Sequence, residues 1–271
     1  MEFFVVLLFL LAVRYWWGEL PRLGRGLLPR WLGVVKAQLN GVPFYLVAVI
    51  LPAFCVGYLA EALEAEVLGL LTLMIHITVL IIAVQAPSTE QLFDELLIAV
   101  RQKQTEGVTL AADQKTQIKN LLVCLHHDFL GYLLWYLLLG PGGVMFLALQ
   151  KEFEGQEIND GNEEQDFISS YYARLSPWLV GLGVRLSLLL LAIVGSFREG
   201  WPLFLKSLKD WTITDADLLV AGFDLLLPDV AALDGAFKVE EHITWLDEYE
   251  ALIGRLFFAW AGLAALIVVV S

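Results

Sequence analysis

Cysteine and cationic side chains are both scarce in this 271-residue chain, and each shortage excludes a class of function. There are two cysteines, Cys55 within an apolar run and Cys124 at the edge of another. They form neither a disulfide framework nor a zinc-ligand spacing, and are expected to be small buried thiols. Lys and Arg number 17 against 30 Asp and Glu, for a formal net charge of −13. Nucleic acid is thereby excluded as a partner, because phosphate binding needs clustered cations. No G-x-x-x-x-G-K-[ST] phosphate loop, G-x-S-x-G nucleophile elbow or H-E-x-x-H zinc motif occurs. The acidic run from Glu152 to Asp166 lacks the Asp-x-Asp-x-Asp-Gly pattern of a calcium loop and reads as a solvated, flexible charge run. What is abundant is apolar surface. Hydrophobic residues make up 58% of the chain, and the mean hydropathy is +0.70. Soluble domains sit near 45–50% apolar. The excess lies in long runs, as expected of a chain whose solvent is a bilayer.

A hydrocarbon core of about 30 Å takes about 20 apolar helical residues. Residues 42–63, 67–86, 129–149, 178–197 and 252–270 come near that length. They must be helical, because lipid offers no partner to backbone polar groups. The apolar start, 1–17, has no cationic n-region and runs into Arg14-Tyr15-Trp16-Trp17 instead of a small-residue cleavage site. It is expected to be an uncleaved first segment, whether a tilted span, a re-entrant segment or an interfacial helix. The predicted fold is all-α, a polytopic membrane bundle of about five to six segments. It forms one integral membrane domain over 1–271, with amphipathic helices outside the bilayer.

Orientation follows the cations. Residues 14–41 hold Arg14, Arg22, Arg25, Arg30 and Lys36 against Glu19 alone, and 87–128 and 198–251 also carry Lys and Arg. Residues 151–177 have only Lys151 and Arg174, and the Glu61–Glu66 turn, expected to close a tight hairpin, has no cation. The basic segments are therefore predicted to be cytoplasmic, and the acidic 151–177 loop and the hairpin turn to lie on the other side. Both larger cytoplasmic segments should be helical. Ser88 and Gln91 have capping-box spacing ahead of Leu92, Phe93, Leu96, Leu97 and Val100. Asp113 is placed to cap a helix that carries Ile118, Leu121, Leu122 and Leu125. Trp201-Pro202 opens an amphipathic piece with Leu203, Phe204 and Leu208, and Trp201 and Trp211 suit the headgroup level. Thr214 and Asp217 repeat the capping pattern before Leu218, Leu219 and Phe223. Three fates are open to such helices: lying on the membrane, packing on the bundle or binding a protein partner.

Ionisable groups at membrane depth are costly and so mark candidate function. Arg185 lies well inside 178–197, with no acid at comparable depth in any span to neutralise it. Its partners are backbone carbonyls, water, a polar neighbour or a bound anion, unless it snorkels to an interface. Arg255 lies near its helix start, where snorkelling is easier. His76 falls mid-span near Thr78, placed for an interhelical hydrogen bond, a proton relay or a ligand contact. His126-His127-Asp128 is a further cluster, but adjacent side chains on a helix point about 100° apart and do not readily share a metal. The candidate ligand-contacting residues are Arg185, His76, Asp128, His127 and Arg255. No catalytic residue, metal site or cofactor is assigned.

The segment Phe129-Leu130-Gly131-Tyr132-Leu133-Leu134-Trp135-Tyr136-Leu137-Leu138-Leu139-Gly140-Pro141-Gly142-Gly143 resembles the central signature of the AmpE family. These are inner-membrane proteins of Gram-negative bacteria linked to β-lactamase induction. Gly183-Val184-Arg185-Leu186, followed by Ala192-Ile193-Val194-Gly195-Ser196-Phe197, resembles that family's second signature, usually P-V-R-L. The order of segments matches along nearly the whole chain. The resemblance implies a multi-pass inner-membrane modulator or sensor of antibiotic response and cell-wall recycling. Its implied partners are the lipid bilayer, an anionic lipid or cell-wall metabolite near Arg185, and a cytoplasmic or membrane protein. AmpE is similar in turn to the CobD/CbiB adenosylcobinamide-phosphate synthases. Their E-x-x-x-E-N-x-x-D-G pattern falls here on Asn120, Cys124, Leu125, Asp128 and Phe129, where only the aspartate is kept. The two glutamate carboxylates of that pattern are thus absent, and an amide-forming synthase is the alternative reading. A small-molecule transporter is a weaker alternative, resting on a helix break at Gly140-Pro141-Gly142-Gly143.

Overall fold

The computed structural model describes residues 26–66, 69–83, 98, 120–123, 125–157, 163–226 and 239–270. The first apolar segment, the Ser88–Val100 helix apart from residue 98, the Asp113 cap and Cys124 lie outside these residues. Every element among the described residues is helical, and there is no strand among them. Three helices are long and apolar enough to cross a membrane: Gly41–Leu63, Gly131–Glu154 and Asp247–Ile267. By helix length and composition this is a membrane protein, all-helical among the described residues. Two further segments appear as shorter apolar helices, Leu71–Ala83 and Trp178–Val194. Within the single membrane domain expected from the sequence, two compact units are distinguished. One is Met1–Leu10, Glu19–Ala86 and His127–Val180, and the other is Leu11–Gly18, Pro87–His126 and Gly181–Ser271.

In the first unit, α1 (Leu27–Lys36) buries Leu28, Leu32 and Val35, one helical stripe at i, i+4 and i+7. Then α2 (Gly41–Tyr45), a π-helical turn (Leu46–Ile50) and α3 (Leu51–Glu66) follow in direct succession. The wide turn frees a carbonyl, and the Trp31 indole N–H donates to Ala48 O at 2.9 Å. The expected hairpin turn at Glu61–Glu66 is helix instead. Its Glu, Ala and Leu are strong helix formers, and they leave only residues 67 and 68 before α4 (Gly69–Ala83). Cys55 is exposed, not buried. On a lipid-facing helix an apolar run need not turn inward, and Phe54, Tyr58 and Leu59 on the same helix are exposed with it.

The long helix α5 (Gly131–Glu157) is broken at Gly140, where φ is 64° and ψ −154°. Pro141 causes this break. A residue before proline avoids the helical region, glycine tolerates positive φ, and proline is a good first residue for the resumed helix. Gly142 then brings its backbone against α3: a Cβ there would lie 3.0 Å from Ala53 O and 3.1 Å from Gly57 Cα. Ala53 and Gly57 are four apart, the small-residue spacing that lets membrane helices approach backbone to backbone. Further along α5, Phe153 packs under Phe44 and Tyr45, each with ring centroids 5.3 Å away.

The acidic stretch 151–177, expected as a loop, is helical over 151–157 and again from Glu163, where α6 (Glu163–Val194) begins. In the second unit, α7 spans Phe197–Lys209, beginning before Trp201, with Pro202 inside it. Pro202 removes the N–H that would meet Arg198 O, at a place where both residues are exposed. The Thr214 cap forms as predicted. Its hydroxyl oxygen accepts from Asp217 N–H at 3.2 Å, opening α8 (Asp215–Leu226), which buries Leu218, Leu219, Gly222 and Phe223. The last helix, α9 (Val239–Val270), starts well before its apolar portion. Phe223 and Tyr249 stack at 5.0 Å to join α8 to α9.

Candidate functional site

Arg185 is 2% exposed and ranks among the largest fully buried side chains. It neither snorkels nor lies bare. Its Nε donates to Ser207 O at 2.9 Å, one Nη donates to Gly181 O at 2.9 Å, and the other reaches Asp210 O at 3.5 Å. The Asp215 carboxylate stands 3.8 Å from the guanidinium. The Trp211 ring covers the guanidinium face, with its centroid 3.5 Å from Cζ. Gly181 is required for this fit, since a Cβ there would lie 2.8 Å from Nη1 and 3.2 Å from Asp215 Oδ1.

The sequence explains why this clasp closes where it does. Gly181 is one helical turn before Arg185, so its carbonyl lies beneath the guanidinium. Ser207 ends the packed face of α7, and its hydroxyl donates to Phe204 O at 2.7 Å, leaving its own carbonyl for Arg185. Past Lys209 the Asp210 carboxylate accepts from Thr212 N–H at 3.0 Å and from Thr212 O–H at 2.6 Å, which folds the turn into α8. Those two bonds hold the Asp210 carboxyl below its ordinary range, the side-chain bond contributing most. Asp215 behaves oppositely. Burial raises its carboxyl above the ordinary range, and the Arg185 charge offsets only part of that. Arg185 thus does find an acid, supplied not by a span but by the first residue of α8. Trp211, expected at the headgroup level, is spent on the guanidinium face. Neither Gly181 nor Asp215 stood out in the sequence. The available signal was an arginine without a counterion inside its own segment, which required one from a neighbouring segment.

His76 is buried in the first unit, and its Nδ1 is 2.8 Å from the Tyr136 hydroxyl, joining α4 to α5. This matches the interhelical hydrogen bond expected of a mid-span histidine. In the same unit the Tyr45 hydroxyl donates to Gln150 Oε1 at 2.8 Å, and Gln150 Nε2 donates to Glu154 Oε1 at 3.0 Å. His126, His127 and Asp128 lie in a π-helical turn, His126–Leu130, directly ahead of α5. His126 is buried in the second unit, its Nε2 3.1 Å from Ser187 Oγ, which also accepts from the Trp260 indole N–H at 3.0 Å. Tryptophan can only donate, so Ser187 Oγ is an acceptor in that bond. His127 is half-buried, and the side chain of Asp128 lies outside the described residues. Arg255 is exposed on α9. Among the described residues no group of three His, Cys, Asp or Glu is placed to hold a metal ion.

Chemically, the Arg185 arrangement is a clasp. Carbonyls and a carboxylate meet the edges of the guanidinium, and an indole covers one face. It can fasten the apolar part of α6 to the α7–α8 connection and hold a buried charge with its donors met. No protein-family model, curated protein or solved structure matches the chain.

Proposed function

We propose that this chain is a signalling modulator of the bacterial inner membrane, resembling AmpE, and not an enzyme. It crosses the bilayer with about five to six segments. Residues 87–128 and 198–251 face the cytoplasm and 151–177 the other side. The observation that supports this reading is the Arg185 clasp. Among the described residues, the one cation buried deep in an apolar helix is spent on fastening that helix to the polar segment after it. Such a link suits a protein that passes a change in its membrane helices to a surface a partner can read, and Arg185 is then a transmitting residue. Its partners are the bilayer and a cytoplasmic or membrane protein that receives the signal. The stimulus is an anionic lipid or a cell-wall intermediate.

The test is β-lactamase induction in a Gram-negative host that lacks its own AmpE-like protein. The wild-type chain should alter the response to a β-lactam, Arg185→Ala should abolish the effect, and Arg185→Lys should restore part of it. A chain without effect on induction, expressed and inserted normally, would overturn the reading. Rescue of a cobalamin auxotroph would replace it with the synthase. One observation favours transport as a second reading: α5 is discontinuous at Gly140, as in helices that line a substrate path. Uptake of labelled solutes into proteoliposomes, compared with Gly140→Ala, decides that point.

A further inference from the structure

Helix α7 folds back along α6. Gly200 meets Ala192, where a Cβ on the glycine would come within 2.6 Å of the alanine side chain, and Ser207 meets Arg185. From 200 to 207 along α7 is the same step as from 192 to 185 along α6, so the two helices run antiparallel from an apex at Gly195 and Ser196. Gly200 and Ser207, two turns apart, form the packed edge and are buried.

The rest of α7 divides into two stripes. Phe197, Trp201, Leu205 and Leu208 are between 37% and 54% exposed, although each is a large apolar side chain. Phe197 stacks on Trp201 at 5.1 Å, and the Phe204 ring lies tilted against Trp201 at 5.4 Å, which makes a continuous aromatic ridge. Beside the ridge, at about 100° per residue, Arg198 and Lys209 fall within about 20° of each other, with Lys206 next to them. All three are exposed. On this helix Arg198, Lys206 and Lys209 face Glu199 alone, in a chain whose acids outnumber its cations 30 to 17. A packed edge, an apolar aromatic ridge and a cationic stripe, side by side, match what the boundary between headgroups and acyl chains offers.

We infer that α7 is an interfacial helix that rests on anionic phospholipid. Phe197, Trp201, Leu205 and Leu208 enter the acyl boundary, and Arg198, Lys206 and Lys209 meet the phosphates. The inference rests on the membrane character of the chain and not on the signalling role. It gives the Arg185 clasp a second consequence: the clasp fixes the angle at which this lipid-reading helix leaves α6.

The test uses the full chain reconstituted in vesicles, with Cys55→Ala and Cys124→Ala as background. A nitroxide is attached to Leu205→Cys in one sample and to Lys206→Cys in another. In phosphatidylglycerol–phosphatidylcholine vesicles the label at 205 should collide several-fold more with oxygen than with a water-soluble nickel chelate, and the label at 206 should show the reverse. Pure phosphatidylcholine vesicles, or the Arg198→Gln, Lys209→Gln pair, should shrink this contrast at least twofold. A label at 205 that meets the nickel chelate freely would show the ridge in water and overturn the inference. Exclusion of both reagents would show protein covering the ridge, with the same result. A contrast indifferent to phosphatidylglycerol and to the two cations would overturn its anionic selectivity. Failure on any of these counts leaves the induction experiment unaffected, so the two proposals fall separately.

Discussion

The two units solve the same problem, polar groups in an apolar helical protein, by different means. The first joins neutral side chains across helices, His76 to Tyr136 and Tyr45 to Gln150, and brings α3 and α5 together through glycine. The second also joins side chains, His126 and Trp260 to Ser187, but in addition buries a full charge and answers it mainly with backbone carbonyls. A neutral pair costs little to bury and contributes little when made. A buried guanidinium costs several kcal/mol to desolvate, so it is tolerated only where its donors are met. Once made, the charged arrangement is unforgiving, because the loss of one partner leaves the others unpaired. The lesson is that a membrane protein fastens a fixed joint with a charge and adjusts ordinary contacts with neutral bonds.

This contrast predicts a ranking. Arg185→Ala should cost the most, about 3 kcal/mol, at the lower end of the range for breaking a buried pair because Asp215 is partly exposed. Arg185→Lys should recover part of it, keeping the charge but not the forked geometry. Unfolding in mild detergent measures both. If Arg185→Ala costs no more than His76→Phe, the contrast between the units collapses. Next come the glycines. Gly142→Ala should cost about 1–3 kcal/mol, because its new Cβ meets the backbone of α3, which cannot step aside. Gly57→Ala meets Gly142 at an ordinary 3.6 Å and should stay within about 0.5 kcal/mol of wild type. Equal costs would show that the helices separate freely. The neutral bond is smaller. Tyr136→Phe should cost about 0.6 kcal/mol, and a double-mutant cycle with His76→Phe should return a coupling no larger than about 1.7 kcal/mol.

The smallest expected effect is one of pH. Asp215 holds its proton more tightly in the folded chain than in the unfolded one. Its ionisation therefore works against folding at pH above its raised value, and this penalty is relieved as pH falls toward the ordinary carboxylate range near about 3.9. Asp210, whose carboxyl is lowered, contributes in the opposite sense: its stabilisation is present above that range and is lost as pH falls through its lowered value. Asp215→Asn should flatten the first dependence and leave the second. Stability curves against pH for wild type and variant that stay parallel would show that burial of Asp215 has no energetic consequence.

Much of the helical architecture was legible in the residues. Apolar runs located three membrane-length helices within a few residues, and the Thr214–Asp217 spacing located the start of α8. The Gly140-Pro141 pair marked a break that the backbone makes. Three other features were not legible. Helix formers at Glu61–Glu66 extended α3 through an expected turn, and 151–177 proved helical at both ends, because charge reports solvation and not backbone conformation. Cys55 lay in an apolar run yet faces outward, because hydropathy does not separate lipid from protein as a neighbour.

The sequence by itself determined that this is a helical membrane protein, that Arg185 sits within an apolar segment, and that His76 needs a partner. These follow from local quantities: run length, periodicity and the cost of a charge in hydrocarbon. Only the tertiary structure decided what answers them. Asp215, Trp211, Ser207 and Asp210 reach Arg185 because α7 turns back along α6, and Tyr136 reaches His76 because α4 lies against α5. Contacts between residues far apart in the chain depend on how helices pack, and no single segment encodes that packing.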